Sequence, residues 1–268
     1  MKKYEFSFSC SWVFDAPIKR HHFLLRCMPG TYPFQRTYGH TLSLSPKAAV
    51  NTAYDSYGNL TYSGSIDKNH TSFGFTASGF VLCSKYMIHE ELDRIFLYPS
   101  RFTNPSTEMQ SFLMDLQLPD VPYARALCLM DTVHKMMTYA PGETNVSTTA
   151  SEAFKSARGV SRDFVQVFIT FCRMSGIPAR YVIGLAKGVA RAHVWAEVYI
   201  DNKWIALDPT LNVEIEDGYL KIAHGRDYSD CAVDRYTYDG DPVGQSKTIS
   251  ATVSDHIILV RDTVPREA

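Results

Sequence analysis

The chain has 268 residues, with 27 Lys and Arg against 28 Asp and Glu, a net charge of −1 and a pI near 6.7. That balance provides no basic field for nucleic acid and no polybasic patch for a membrane surface, so neither is expected as a partner. Hydrophobic residues make up 45% of it, enough to bury the core of one large domain or two small ones. No segment approaches the roughly 20 apolar residues of a membrane span. Met1-Lys2-Lys3 runs into an alternating pattern and not into the apolar stretch of a signal peptide, so a cytoplasmic location is expected.

From the start to about residue 85 every signal is of β type. Tyr4 to Val13 alternates, with Tyr4, Phe6, Phe8 and Cys10 on one face; His22 to Met28 is a short apolar run, and Leu42 to Ser45 alternates again. Asp55-Ser56-Tyr57-Gly58-Asn59 reads as a turn, and Thr71 to Cys83 places Phe73, Phe75 and Ala77 on one side. Short strands separated by turns predict an antiparallel β-sandwich over residues 1–100. Adjacent His21 and His22 would point to opposite faces of a strand and so are poorly placed to share a metal ion.

Pro99, Pro105 and Pro119 mark a connector at about 86–120, with a domain boundary in it. Leu127, Met130, Val133 and Met137 then recur at helical spacing, as expected of a packing helix. After the break at Pro141-Gly142, Thr149 and Glu152 have the spacing of a capping box. A second helix follows from Ser161, where Phe164, Val167, Phe168, Phe171 and Cys172 give it one apolar face. Taken alone, Ser161 reads as an N-cap serine.

Arg180 to Leu185 and Ala192 to Ile200 are strands. The second puts His193, Trp195, Glu197 and Tyr199 on one face. Asp201-Asn202-Lys203 makes a hairpin turn, so Trp204 to Leu207 runs back antiparallel and carries Asp208 toward His193. Thr248 to Val253 and His256 to Val260 are the closing strands. The six cysteines, Cys10, Cys27, Cys83, Cys128, Cys172 and Cys231, are scattered without CxxC pairs and read as free thiols.

The blocks Gly159-Val160-Ser161-Arg162-Asp163-Phe164, Ala192-His193-Val194-Trp195 and Trp204 to Thr210, in that order, resemble the transglutaminase-like superfamily of papain-type thiol enzymes. Tyr57-Gly58-Asn59, the Tyr-x-Pro-Gly-x-Thr stretch from Tyr139 to Thr144, and Gly225-Arg226-Asp227-Tyr228-Ser229-Asp230 resemble a bacterial branch that carries an N-terminal β domain. The resemblance implies an α+β fold: a β domain over 1–100, then a papain-type core of helices on an antiparallel sheet over 101–268. It also implies nucleophilic acyl transfer on a peptide or isopeptide bond, with water or an amine as acceptor and no cofactor or metal. By the same resemblance Ser161 occupies the nucleophile position, where the family has cysteine, His193 is the base and Asp208 orients it. Trp195 and Tyr228 are candidates for lining an acyl or amine pocket, and Thr144 and Asn145 for lying near it.

A hydroxyl has no appreciable anion at pH 7, so serine in a site tuned for a thiolate implies a loss of roughly 10³-fold or more in activity. Cys172 lies too far along the helix to substitute, about 16 Å at about 1.5 Å per residue, and nothing places Cys231 at a helix start. Ser161 is then either a Cys-to-Ser change made to silence the site or the natural residue of a weak hydrolase or non-catalytic peptide-binding pseudoenzyme. Retention of His193 and Asp208 favours the former.

Overall fold

The computed structural model describes residues 1–256; the proposed strand from His256 to Val260 falls almost wholly outside them, and His256 itself is not in a strand. Among the described residues no helix is long and apolar enough to cross a membrane. In chain order the strands are β1 (Lys2–Leu25), β2 (Gln35–Ser45), β3 (Asn51–Tyr54), β4 (Leu60–Ile66) and β5 (His70–Cys83). A short 3₁₀ turn at Arg94–Leu97 leads to α1 (Thr107–Asp115), α2 (Pro122–Met136), β6 (Thr138–Tyr139), α3 (Ala150–Ser156), β7 (Arg158–Gly159) and α4 (Ser161–Met174). Then come β8 (Ala179–Ala186), β9 (His193–Ile200), β10 (Lys203–Asp208), β11 (Val213–Glu214), β12 (Tyr219–Gly225), α5 (Tyr228–Cys231), β13 (Asp234–Asp239) and β14 (Gln245–Asp255).

β1 is one strand of 24 residues where the sequence suggested two. Its first half buries Tyr4, Phe6, Phe8, Cys10, Trp12 and Phe14, and pairs with β5 on one side and β14 on the other. The pairing with β5 slips between Val13 and Ile18, and past that irregularity residues 21–25 pair with β4 and residues 22–25 with β13. A bulged strand bends and twists, so a single curled sheet of seven strands does the work of the two expected layers. β13 and β14, grouped by the sequence with the core over 101–268, hydrogen-bond to β1. Nothing local in their composition reports a partner more than 200 residues away.

The second sheet is antiparallel, ordered β11-β10-β9-β8-β12. α4 packs on β8 and β9, and α1, α2 and α3 cover its opposite side. Every residue from Asp163 to Arg173 is therefore buried, although the sequence shows only one apolar face. Loops and the start of β8 take up part of the polar face: Gln166 donates to Thr148 O at 3.1 Å, and Arg173 donates to the carbonyls of Ala179 and Arg226 at 2.8 and 2.7 Å, while Gln166 Oε1 has no partner among the described residues. α3 opens with the expected capping box, in which Glu152 N donates to Thr149 Oγ1 and Thr149 N donates to Glu152 Oε2.

Amide side chains clip the two sheets together. Asn59, fully buried, donates to His224 O at 2.7 Å and accepts from His224 N at 2.8 Å. Gln35 does the same for Lys221, accepting from its N–H at 2.8 Å and donating to its carbonyl at 2.9 Å. The Tyr57-Gly58-Asn59 turn thus has a structural role: Gly58 takes φ +77°, and the turn presents Asn59 to β12 as a strand edge would.

Candidate active site

At the start of α4 the N-cap is Val160, and Ser161 is the first helical residue. The capping is done from the third position: Asp163 Oδ2 accepts from Val160 N at 2.8 Å and from Thr144 Oγ1 at 2.6 Å. This carboxylate is fully buried, which assigns Asp163 to fixing the helix start and explains the Tyr139–Thr144 stretch that delivers Thr144. A Cβ at Gly159 would lie 2.5 Å from Asp163 Oδ2. Gly159→Ala is therefore expected to lower stability by roughly 1–3 kcal/mol, measured by urea unfolding, because backbone or cap must shift to admit it. The N–H groups of Ser161 and Arg162 have no acceptor among the described residues, as expected of the first turn of a helix, and remain free to bind an oxyanion.

Asp201 and Asn202 take φ of +50° and +59°, the tight turn that sets the β9–β10 register. The last pair is Leu207 with Ala196, so Asp208 falls opposite Trp195 and diagonal to His193 on the same face. The side chains meet: His193 Nε2 is 2.6 Å from Asp208 Oδ2, and both residues are buried. The carboxylate is further held by Thr210 N and Leu211 N on Oδ1, at 2.9 and 3.2 Å, and by the Tyr219 hydroxyl on Oδ2 at 3.0 Å. With Asp208 ionised, Nε2 carries the proton and Nδ1 keeps the lone pair a base needs. Ser161 Oγ and the ring make no direct hydrogen bond.

Tyr219 was invisible to sequence reasoning, since it reaches Asp208 only through the β8–β12 pairing. Removing its hydroxyl in Tyr219→Phe is expected to cost up to about tenfold in kcat/KM in a Ser161→Cys background, with little change in Tm.

Ser161, Arg162, Ala192, Val194 and Tyr228 line a cleft of about 300 Å³, with Ile249 of β14 on the wall. Tyr228 is thus placed as expected, with the Arg162 guanidinium 5.5 Å from its ring centre. Trp195 is not: it is fully buried and donates from Nε1 to the Tyr86 hydroxyl at 3.1 Å. The face it shares with His193 is covered, beyond His193, by residues arriving from the first sheet and its connector. Asn145 lies beside the cleft, which its neighbour Val146 lines, and its carboxamide oxygen accepts from Ser147 N and Oγ at 2.8 and 2.6 Å.

Further along the same face lies a buried ionic cluster the sequence did not reveal. Glu197 accepts from Lys221 Nζ at 2.8 and 2.9 Å, and also from Arg180 and Tyr86. Arg180 stacks on Trp204 at 4.0 Å. Burial alone would push the Glu197 carboxyl up, but Arg180 and then Lys221 outweigh it and hold it down at about 2.

Cys231 is buried, and desolvation pushes its thiol far up, as it does for Cys172, so neither supplies a thiolate. Among the described residues no group of three or more His, Cys, Asp or Glu is arranged to hold a metal ion. His21 is buried against His70, with Nδ1 3.1 Å from its partner's Nε2, while His22 is exposed.

Residues 113–209 match the core of the transglutaminase-like superfamily, and residues 4–82 match the bacterial transglutaminase-like N-terminal region. The chain belongs to the transglutaminase-like superfamily. It is 24% identical to Mycobacterium leprae ML0607 over 258 residues, covering 87% of this chain and 91% of that one. Mycobacterium tuberculosis Rv2569c is 25% identical over 234 residues, covering 73% and 74%. A crystal structure described as "a Putative Cysteine Protease from Cytophaga hutchinsonii" superposes with a TM-score of 0.80 at 24% identity, covering 96% of this chain and 92% of that one. This likeness establishes the transglutaminase-like fold over nearly the whole chain.

Proposed function

We propose that this site performs acyl transfer on a peptide or isopeptide amide, with position 161 as the nucleophile seat, His193 as the base and Asp208 as its orienting acid. The observation that carries the reading is the Asp208 carboxylate, which takes four hydrogen bonds and spends one of them on holding a single imidazole. A module that only bound peptide would have no use for that arrangement.

With cysteine at 161, His193 takes the thiol proton and the sulfur attacks the amide carbon. The oxygen of the tetrahedral intermediate is received by the free N–H groups at the start of α4, and His193 returns the proton to the departing amine. Water or a second amine, deprotonated by His193, then attacks the thioester carbon, the C–S bond breaks, and the acid or new amide leaves as the proton returns to the sulfur. With Ser161 the ground-state ion pair cannot form, and we read this chain as strongly impaired. The test is turnover of peptide amides by Ser161→Cys, compared with the Ser161 chain and with Ser161→Cys/His193→Ala. Equal turnover by all three would reject the assignment.

A further inference from the structure

The cleft beside Ser161 is positive in a chain whose net charge is −1. Arg162, Arg191 and Lys247 line it against one carboxylate, Asp234, and that carboxylate is already paired with Lys247. Arg162 makes only long contacts through Nη2, to Thr144 Oγ1 at 3.4 Å and to Asp163 Oδ1 at 3.5 Å, and its buried Nε has no partner among the described residues. Arg191 is exposed on the loop leading into β9 and has no acidic partner among the described residues. One guanidinium therefore adjoins the nucleophile position in sequence, and the other precedes the base by two residues. Much of the remaining lining is apolar, including Val146, Ile183, Val194 and Ile249, and offers these charges nothing. The Arg191 guanidinium, without an acidic partner, and the Arg162 Nε left unsatisfied beside an apolar wall match the fork geometry of a carboxylate.

We propose that the acyl donor taken at this site is a peptide bearing a carboxylate next to the scissile amide, bound by Arg191 together with Arg162, with Arg191 determining specificity. The proposal rests on the acyl-transfer reading above and adds the class of substrate to it. Either an acidic side chain or a free C-terminal carboxylate would supply the group.

The test uses the thiol of Ser161→Cys and two reagents of similar size, anionic iodoacetate and neutral iodoacetamide, at low ionic strength. The iodoacetate-to-iodoacetamide rate ratio is expected to fall about fivefold in Ser161→Cys/Arg191→Glu, because a charge lining the same wet cleft is reversed. It should hold in Ser161→Cys/Lys68→Glu, which makes the same charge change in the exposed β4–β5 turn. A ratio indifferent to Arg191→Glu overturns the proposal. Slow alkylation by both reagents with the ratio still falling would support the carboxylate site while counting against the activated nucleophile, so the two readings fail separately. Protection of the thiol from iodoacetamide by three hexapeptides then identifies the source: one with an internal Glu and an amidated end, one with Gln and an amidated end, and one with Gln and a free end. The carboxylate-bearing peptides should protect at concentrations at least about fivefold lower than the neutral one. Equal protection by all three, or none by any, overturns the proposal.

Discussion

Ser161→Cys should create a thiol that iodoacetamide alkylates roughly 10- to 30-fold faster at pH 7 than the same thiol in Ser161→Cys/His193→Ala. An ordinary cysteine with a pKa near 8.5 is only about 3% thiolate at pH 7, so full ionisation by the helix start and a neighbouring imidazolium can raise the reactive fraction by about 30-fold at most. The sign is fixed by the same argument. A depressed thiol pKa keeps the rate high as pH falls below 7, and removing His193 should move the inflection up toward about 8.5. Amide turnover should respond more strongly, by roughly 10²–10⁴-fold, because it also loses the general acid that protonates the leaving amine. The native cysteines interfere little: Cys10 and Cys83 are buried and their thiols pushed up to about 12 by desolvation, and peptide mapping separates half-buried Cys128.

Glu197→Gln should give the largest loss of stability of any single substitution considered, about 3–5 kcal/mol by urea unfolding. It leaves Lys221 buried without a carboxylate and Arg180 with only the exposed Glu90 as its counter-charge, and an uncompensated buried cation costs far more than a broken surface pair. The pH dependence follows from the lowered Glu197 pKa. Its contribution is fully present above the unfolded value near 4.5 and is lost as pH falls toward about 2, so acid unfolding should begin within that window and be blunted in Glu197→Gln. Replacing the whole cluster with apolar residues of similar size, as in Arg180→Met/Glu197→Leu/Lys221→Met, should recover much of the loss. If Glu197→Gln changed stability by under 1 kcal/mol, the cluster would have to be hydrated and not buried as the structure has it.

The parts of the molecule legible in the sequence were those whose partners lie close along the chain. The β9–β10 hairpin is the best case: a two-residue turn with φ above zero fixes the register, and the register alone delivers Asp208 to His193. The Thr149–Glu152 capping box is another. What stayed hidden depends on distant partners. The alternation that groups His193, Trp195 and Glu197 on one face could not show that Tyr86 and Lys221 bury the last two, so Trp195 was assigned to a pocket it does not reach. The single apolar face of α4 could not show that three helices cover its polar side. The capping role of Asp163 likewise depends on Thr144 and on the closeness of Gly159, which only the folded chain brings together.

The central claim, acyl transfer through position 161, is tested most directly by mass spectrometry of Ser161→Cys after brief exposure to p-nitrophenyl acetate. The account predicts one acetyl group on the peptide containing residue 161, discharged by water or an added amine, absent from the Ser161 chain over the same interval and strongly reduced in Ser161→Cys/His193→Ala. Acetylation elsewhere in the chain, or at residue 161 to the same extent with and without His193, would contradict it.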